Sequence, residues 1–143
     1  MHSDRPQAPG YLANLMARLF HEVSGAGLIP LGIRPEQFPI LIELWFGDGP
    51  VSRMSLAESQ EADAPFIDAL VRTLAHDGLI ESWPAAPDQN LVPTAKALAT
   101  RDSAIPAARR ANQAAAGALS DEEMAQFVEM MNRVIDALQK ARS

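Results

Sequence analysis

The sequence predicts a mainly α-helical chain with a small β element, a winged helix-turn-helix flanked at both ends by helices. Three observations carry this. Apolar stripes of helical period mark the two chain ends. Two helical segments separated by a capping aspartate occupy the middle. Two short apolar runs around a proline-rich turn follow them. The 143 residues suit one domain over 1–143, with 34–100 as the winged unit and 1–33 and 101–143 as dimerisation helices.

Each element has its own signal. Leu12, Leu15, Met16, Leu19, Phe20 and Val23 form one helical face. The run Ser24-Gly-Ala-Gly27 weakens that helix, and Pro30 lies just beyond. Arg34-Pro-Glu-Gln37 opens a second helix with the stripe Phe38, Leu41, Ile42 and Trp45, stopped by Gly47-Asp-Gly-Pro50. Pro39 is tolerated there only in the first turn, where N–H groups have no intrahelical partner. Val51 and Ser52 suit a short strand before a brief helix over Ser55–Gln60. Asp63 then caps a helix with Ile67, Leu70, Val71 and Leu74 inward, closed by Gly78. Leu79–Trp83 and Asn90–Val92 read as strands around the turn Pro84-Ala-Ala-Pro-Asp88. An alanine-rich helix continues to about Ala118, with Pro106 expected to kink or interrupt it. Ser120-Asp-Glu-Glu123 is a capping box that opens a last helix striped by Met124, Phe127, Val128, Met131, Ile135 and Leu138. A small winged core cannot bury both terminal stripes, so a homodimer is expected; a monomeric bundle is the alternative.

Composition narrows function. There are no cysteines, which excludes disulfides and thiolate metal sites and fits a cytoplasmic protein. The N-terminus carries no signal pattern, and no apolar run reaches membrane-spanning length. His2, His21 and His76 are scattered, and His21-Glu22 lacks the second histidine of a zinc helix. Ser24-Gly-Ala-Gly27 lacks the lysine of a phosphate loop. No enzyme, metal or cofactor is expected. The net charge of −6 is localised: residues 34–100 hold four basic side chains (Arg34, Arg53, Arg72, Lys96) against ten acidic ones, while both ends balance.

Several stretches resemble the MarR family of regulators. Leu31–Trp45 is similar to that family's second helix, and Val51-Ser-Arg-Met-Ser-Leu-Ala-Glu58, Asp63 and Leu70–Glu81 to its helix-turn-helix. Leu91-Val-Pro-Thr-Ala-Lys96 is similar to the corner after the wing, with Ala97 where glycine is usual, and Leu119–Glu123 to the start of the final helix. The resemblance implies a two-fold dimer with interdigitated terminal helices, palindromic operators, and a small, often phenolic or anionic, effector.

The residues that would perform this are unusual. Where the family carries hydroxyl and basic residues after the capping aspartate, this chain has Ala64, Pro65, Phe66, Asp68 and Ala69, and its wing has no arginine. Arg53, Ser55, Arg72, Gln89, Asn90 and Lys96 remain as candidate contacts to double-stranded DNA, so weak binding is expected. Pro65, Phe66 and Ala69 form an apolar patch, which reads either as a protein-binding surface or, with Phe66 folded inward, as core. His21, Phe38 and Trp45 are candidates for an effector pocket, although aromatics on a helix stripe also read as core. Two functions follow: a homodimeric transcription regulator, or a protein-interaction module of antirepressor type that has lost DNA binding.

Overall fold

In a computed structural model, which describes residues 4–142, the chain forms six helices. Helix α1 spans Pro9–Leu28 and passes through a 3-10 turn, Ile29–Leu31, to Gly32. Gly32 has φ of 82°, a left-handed conformation that suits glycine at a helix end. A second 3-10 turn, Pro35–Gln37, leads into α2, Phe38–Phe46, so Pro39 lies in the first turn as its chemistry requires. Helix α3 is Arg53–Ser59 and α4 is Ala64–His76. Helices α5 (Ala95–Ala116) and α6 (Asp121–Arg142) complete the chain. No helix among the described residues is long and apolar enough to cross a membrane.

Three expectations need correction, and one is explained. The glycine run, read as weakening the first helix, lies inside the last turns of α1, which ends at Leu28. A Cβ placed on Gly27 would stand 2.7 Å from the Ala107 Cβ, so Gly27 lies where α1 and α5 cross at close range. There the packing gain outweighs glycine's weak helix propensity. Pro106 does not interrupt α5, which Ala104 and Ala111 hold in place from buried positions on either side. Helix α3 begins at Arg53 rather than Ser55, because the Ser52 hydroxyl accepts from the Ser55 N–H while the Ser55 hydroxyl accepts from the Ser52 N–H. Finally, the predicted strands shrink to two isolated antiparallel bridges, Ser52 with Asn90 and Ile80 with Pro93. Pro84, Pro87 and Pro93 have no N–H, so a longer ladder has too few donors. The wing is held instead by single bonds from Leu91 N to Val51 O (2.8 Å) and from Glu81 N to Val92 O (2.9 Å).

The core is one apolar cluster joining Leu28, Ile33, Leu41, Leu56, Ile67 and Leu74 with Leu79, Ile80 and Ala97. One polar staple runs through it. Gln37 is fully buried; its side-chain oxygen accepts from Arg34 N, and its Nε2 donates to Thr73 Oγ1 (3.0 Å) and Asp77 Oδ2 (2.9 Å). Arg34 grips the same carboxylate through two parallel bonds of 2.8 and 2.9 Å. Burial alone would raise the Asp77 pKa, but hydrogen bonds from Arg34, Gln37 and His76, with the charge of Arg34, outweigh it and hold the group at about 2. This staple fixes the end of α4 to the start of α2.

Helix α6 is different. It buries no residue against its own chain, and Val128, Met130, Val134, Ile135 and Leu138 are all exposed. Helices α1 and α5 leave a shallow apolar groove between them, lined by Met16, Leu19, Phe20, Ala111 and Ala115.

Candidate nucleic-acid interface

Helices α3 and α4 are joined by a tight turn through Glu61, which adopts φ of 52°. The Asp63 carboxylate accepts from the Phe66 N–H at 2.9 Å and caps α4, with Pro65 in the first turn, where its missing N–H costs nothing. Ile67, Val71 and Leu74 are buried, which turns Ala64, Pro65, Phe66, Ala69 and Arg72 outward. The sequence left Phe66 between core and surface. With 58% of its surface exposed, it is a surface residue. The outward face therefore offers an aromatic ring and methyl groups where base-edge donors are needed for direct readout.

The basic side chains of this unit are mostly engaged. Arg53, at the first turn of α3, is only 11% exposed in its side chain. It pairs with Asp68 of α4 at 3.2 Å and donates to Pro84 O at 3.3 Å. Its guanidinium carbon also lies 4.2 Å from the Trp83 ring centroid, as does that of Arg72. Trp83 thus ties the base of the wing to both helices of the helix-turn-helix. Asp68 is the direct reason that Arg53 is unsuited to phosphate. Arg72 is exposed, and among the described residues no ion pair engages it. Two cations thus meet on one ring, Arg53 neutralised by Asp68 and Arg72 outside any ion pair.

The remaining candidates are divided. Ser55 is occupied by its capping box with Ser52. In the wing, the Gln89 side chain accepts from Ala85 N and shapes the turn, while Asn90 is exposed beside the Ser52 bridge. Lys96 is elsewhere. Its Nζ donates to Asp77 O at 2.8 Å, beyond the C-terminal end of α4, about 20 Å along that helix from Ala64. Of the proposed effector residues, Phe38 and Trp45 meet edge to face at 6.0 Å, and the indole N–H of Trp45 donates to Ala97 O at 3.1 Å. Both belong to the core or its margin, while His21 is exposed on α1. His2 lies outside the described residues. Sequence reasoning missed the Trp83 clamp and the Asp77 staple. Trp83 reads as an ordinary strand residue, and Gln37 only as part of the segment that opens the second helix.

A helix-turn-helix with a short wing, set between long helices that leave apolar faces uncovered, defines a winged-helix protein. Solved structures specify the fold further. A probable transcriptional regulator from Pseudomonas aeruginosa matches over 90% of this chain and 97% of its own, with 24% identity and a TM-score of 0.69. The S. aureus MepR–DNA complex matches over 93% and 99%, with 18% identity and a TM-score of 0.79. A Mycobacterium tuberculosis MarR-family protein in complex with p-aminosalicylic acid matches over 89% and 98%, with 22% identity and a TM-score of 0.56. No family model matches the sequence, and neither does any curated relative. The chain has the fold of MarR-family transcriptional regulators.

Proposed function

We propose that this protein is a homodimeric, cytoplasmic transcription regulator of MarR type, responsive to a small-molecule effector and weak in its own binding of duplex DNA. The observation that carries the proposal is the outward face of α4, exposed on a complete winged-helix core but supplied with one cation outside any ion pair, Arg72. Proteins that hold duplex DNA neutralise several phosphates, often about 6–10. A unit with four basic and ten acidic side chains, one arginine of which faces Asp68, provides far fewer. Residues 34–100 act as the target-binding unit, and residues 1–33 and 101–143 form the dimer by seating the stripe of α6 on the α1–α5 groove of a second copy. The solved relatives with DNA and with p-aminosalicylic acid support a regulator that responds to a ligand.

The exposure of Phe66 favours a second reading. With Pro65 and Ala69 it forms an apolar anchor in an acidic surround, suited to a protein partner whose own apolar anchor has a basic rim. A gel shift across a salt series, using duplex fragments from beside the gene, separates the two. Retarded bands at low salt that fade before physiological salt support the regulator reading. No shift at any salt, with Phe66-dependent capture of a basic protein, supports the second.

A further inference from the structure

We propose that Asp68 is an autoinhibitory latch: it stows Arg53, a phosphate-binding side chain of the helix-turn-helix, against the base of the wing, and Arg53 is released only as the wing loosens. This deepens the reading of the chain as a weak duplex binder, on which it rests, by naming the contact that keeps affinity down.

Arg53 is poorly satisfied where it lies. It is the first residue of α3, and Met54 beside it is 60% exposed. Its own side chain is only 11% exposed. A guanidinium carries five N–H donors. Nη1 reaches Asp68 Oδ1 at 3.2 Å and Nη2 reaches Pro84 O at 3.3 Å, while Nε is buried without a partner among the described residues. Charge-assisted bonds of this type run to about 2.7–2.9 Å. The same molecule makes such a pair elsewhere, where Arg34 holds Asp77 through two bonds of 2.8 and 2.9 Å. A buried cation with an idle donor is held at a cost that contact with a phosphate or with water removes.

The charges around the ring add to this. The guanidinium carbons of Arg53 and Arg72 each lie 4.2 Å from the Trp83 centroid, so two like charges share one indole. Among the described residues, Asp68 is the only carboxylate that pairs with either. Without its charge the two arginines repel, and Pro84 O and the ring face are left to hold the stowed one. The helices themselves are anchored by the buried Leu56, Ile67 and Val71. The wing instead hangs on single backbone bonds, Leu91 N to Val51 O, Glu81 N to Val92 O and Met54 N to Pro87 O. Arg53 adds Pro84 and Trp83 to that set, so its release loosens the wing base and leaves the helix pair in place. A phosphate competes for the same donors, and the carboxylate that stays behind repels it. That opposition keeps affinity low.

The test is a double-mutant cycle on the full-length chain, read by anisotropy with a short labelled duplex of mixed sequence across a salt series. Asp68→Asn keeps the shape and removes the charge. It should bind more tightly than wild type, with a log–log slope steeper by about 0.9 for the one phosphate that Arg53 then contacts. Arg53→Met should weaken binding by at least about fivefold less than Asp68→Asn strengthens it, because the stowed side chain makes no contact to lose. The charge-matched double variant should bind as wild type does. Arg53→Gln takes the place of Arg53→Met in the cycle if the latter does not melt cooperatively. Without any duplex, hydrogen exchange at the Leu91 and Glu81 amides should speed up in Asp68→Asn while Ile67 and Val71 stay protected. Equal gain and loss in the two single variants, which simple charge repulsion predicts, would overturn the latch, and so would unchanged exchange in the wing. Weak binding by wild type with no gain in Asp68→Asn removes the latch alone. A wild type that does not bind, beside an Asp68→Asn variant whose binding needs Arg53, removes the weak-binding reading and supports the latch.

Discussion

Asp77→Asn is nearly isosteric and removes one charge from the staple that joins α2 to α4, which makes it a sharp probe of how the fold holds α4. In the folded chain the Asp77 carboxyl titrates at about 2, below its ordinary 3.8. A depressed acid contributes stability that is complete above the unfolded value and lost as pH falls through the folded one. The window is therefore about pH 4 down to pH 2. A displacement of that size corresponds to at most about 2.5 kcal/mol. The Asp77 side chain is only 16% exposed, but Arg34 is 46% exposed, and solvent screening on that side reduces the figure to about 1–2 kcal/mol. Urea unfolding of both proteins at a series of pH values reads the difference directly. Wild type should exceed Asp77→Asn by about 1–2 kcal/mol at pH 7, with the gap closing towards pH 2. A gap that stays constant with pH would show that the lost stability is geometric, and would refute the electrostatic account of the staple.

Other outcomes follow from the same packing. Gly27→Val should cost about 1–3 kcal/mol, because its Cβ meets that of Ala107, and Ala107→Gly should restore part of the loss; additive effects in the double mutant would remove the close crossing as the cause. Phe66→Ala should change stability by no more than about 0.5 kcal/mol, whereas a loss of 3–5 kcal/mol, roughly what core truncation costs, would return Phe66 to the interior. Trp83→Ala should free Arg53 and Arg72 from their shared ring and speed proteolysis in the wing at Pro84–Asn90; an unchanged digestion pattern would mean that the backbone bonds alone hold it. Removing residues from Ser120 onward should leave aggregated or unfolded protein, and a well-folded monomer after truncation, shown by sedimentation and a cooperative melt, would remove the basis for the dimer reading.

Most of the helical order was legible because it rests on local rules. Asp63 and Ser120 announce their helices by capping chemistry, Gly78 ends α4 with φ of 72°, and the α6 stripe repeats at helical period. What was not legible depends on distant partners. Gly25 and Gly27 weaken a helix in isolation, and only the approach of α5 gives Gly27 its reason. The β-forming residues of the wing suggested strands, but the prolines that deny it donors act through a ladder that sequence reading had assumed. The chemical poverty of the recognition face was visible in Ala64, Asp68 and Ala69. The pairing that neutralises Arg53 was not, since Arg53 and Asp68 are fifteen positions apart on different helices. The grouping of His21 with Phe38 and Trp45 came from aromatic character alone; the fold places the two rings together and the imidazole on the exposed side of α1.

The central claim is that the α4 face, as built, lacks the charge and the donors to hold duplex DNA tightly. Fluorescence anisotropy with a labelled duplex tests it when wild type is compared, across a salt series, with a variant carrying Ala64→Lys, Asp68→Thr, Ala69→Arg and Gln89→Arg. Wild type should bind weakly, with a shallow salt dependence and no sequence preference at physiological salt. The variant should bind more tightly, its log–log slope steepening by about 0.9 for each phosphate newly contacted. Tight, sequence-specific binding by the unmodified protein at physiological salt would contradict the account.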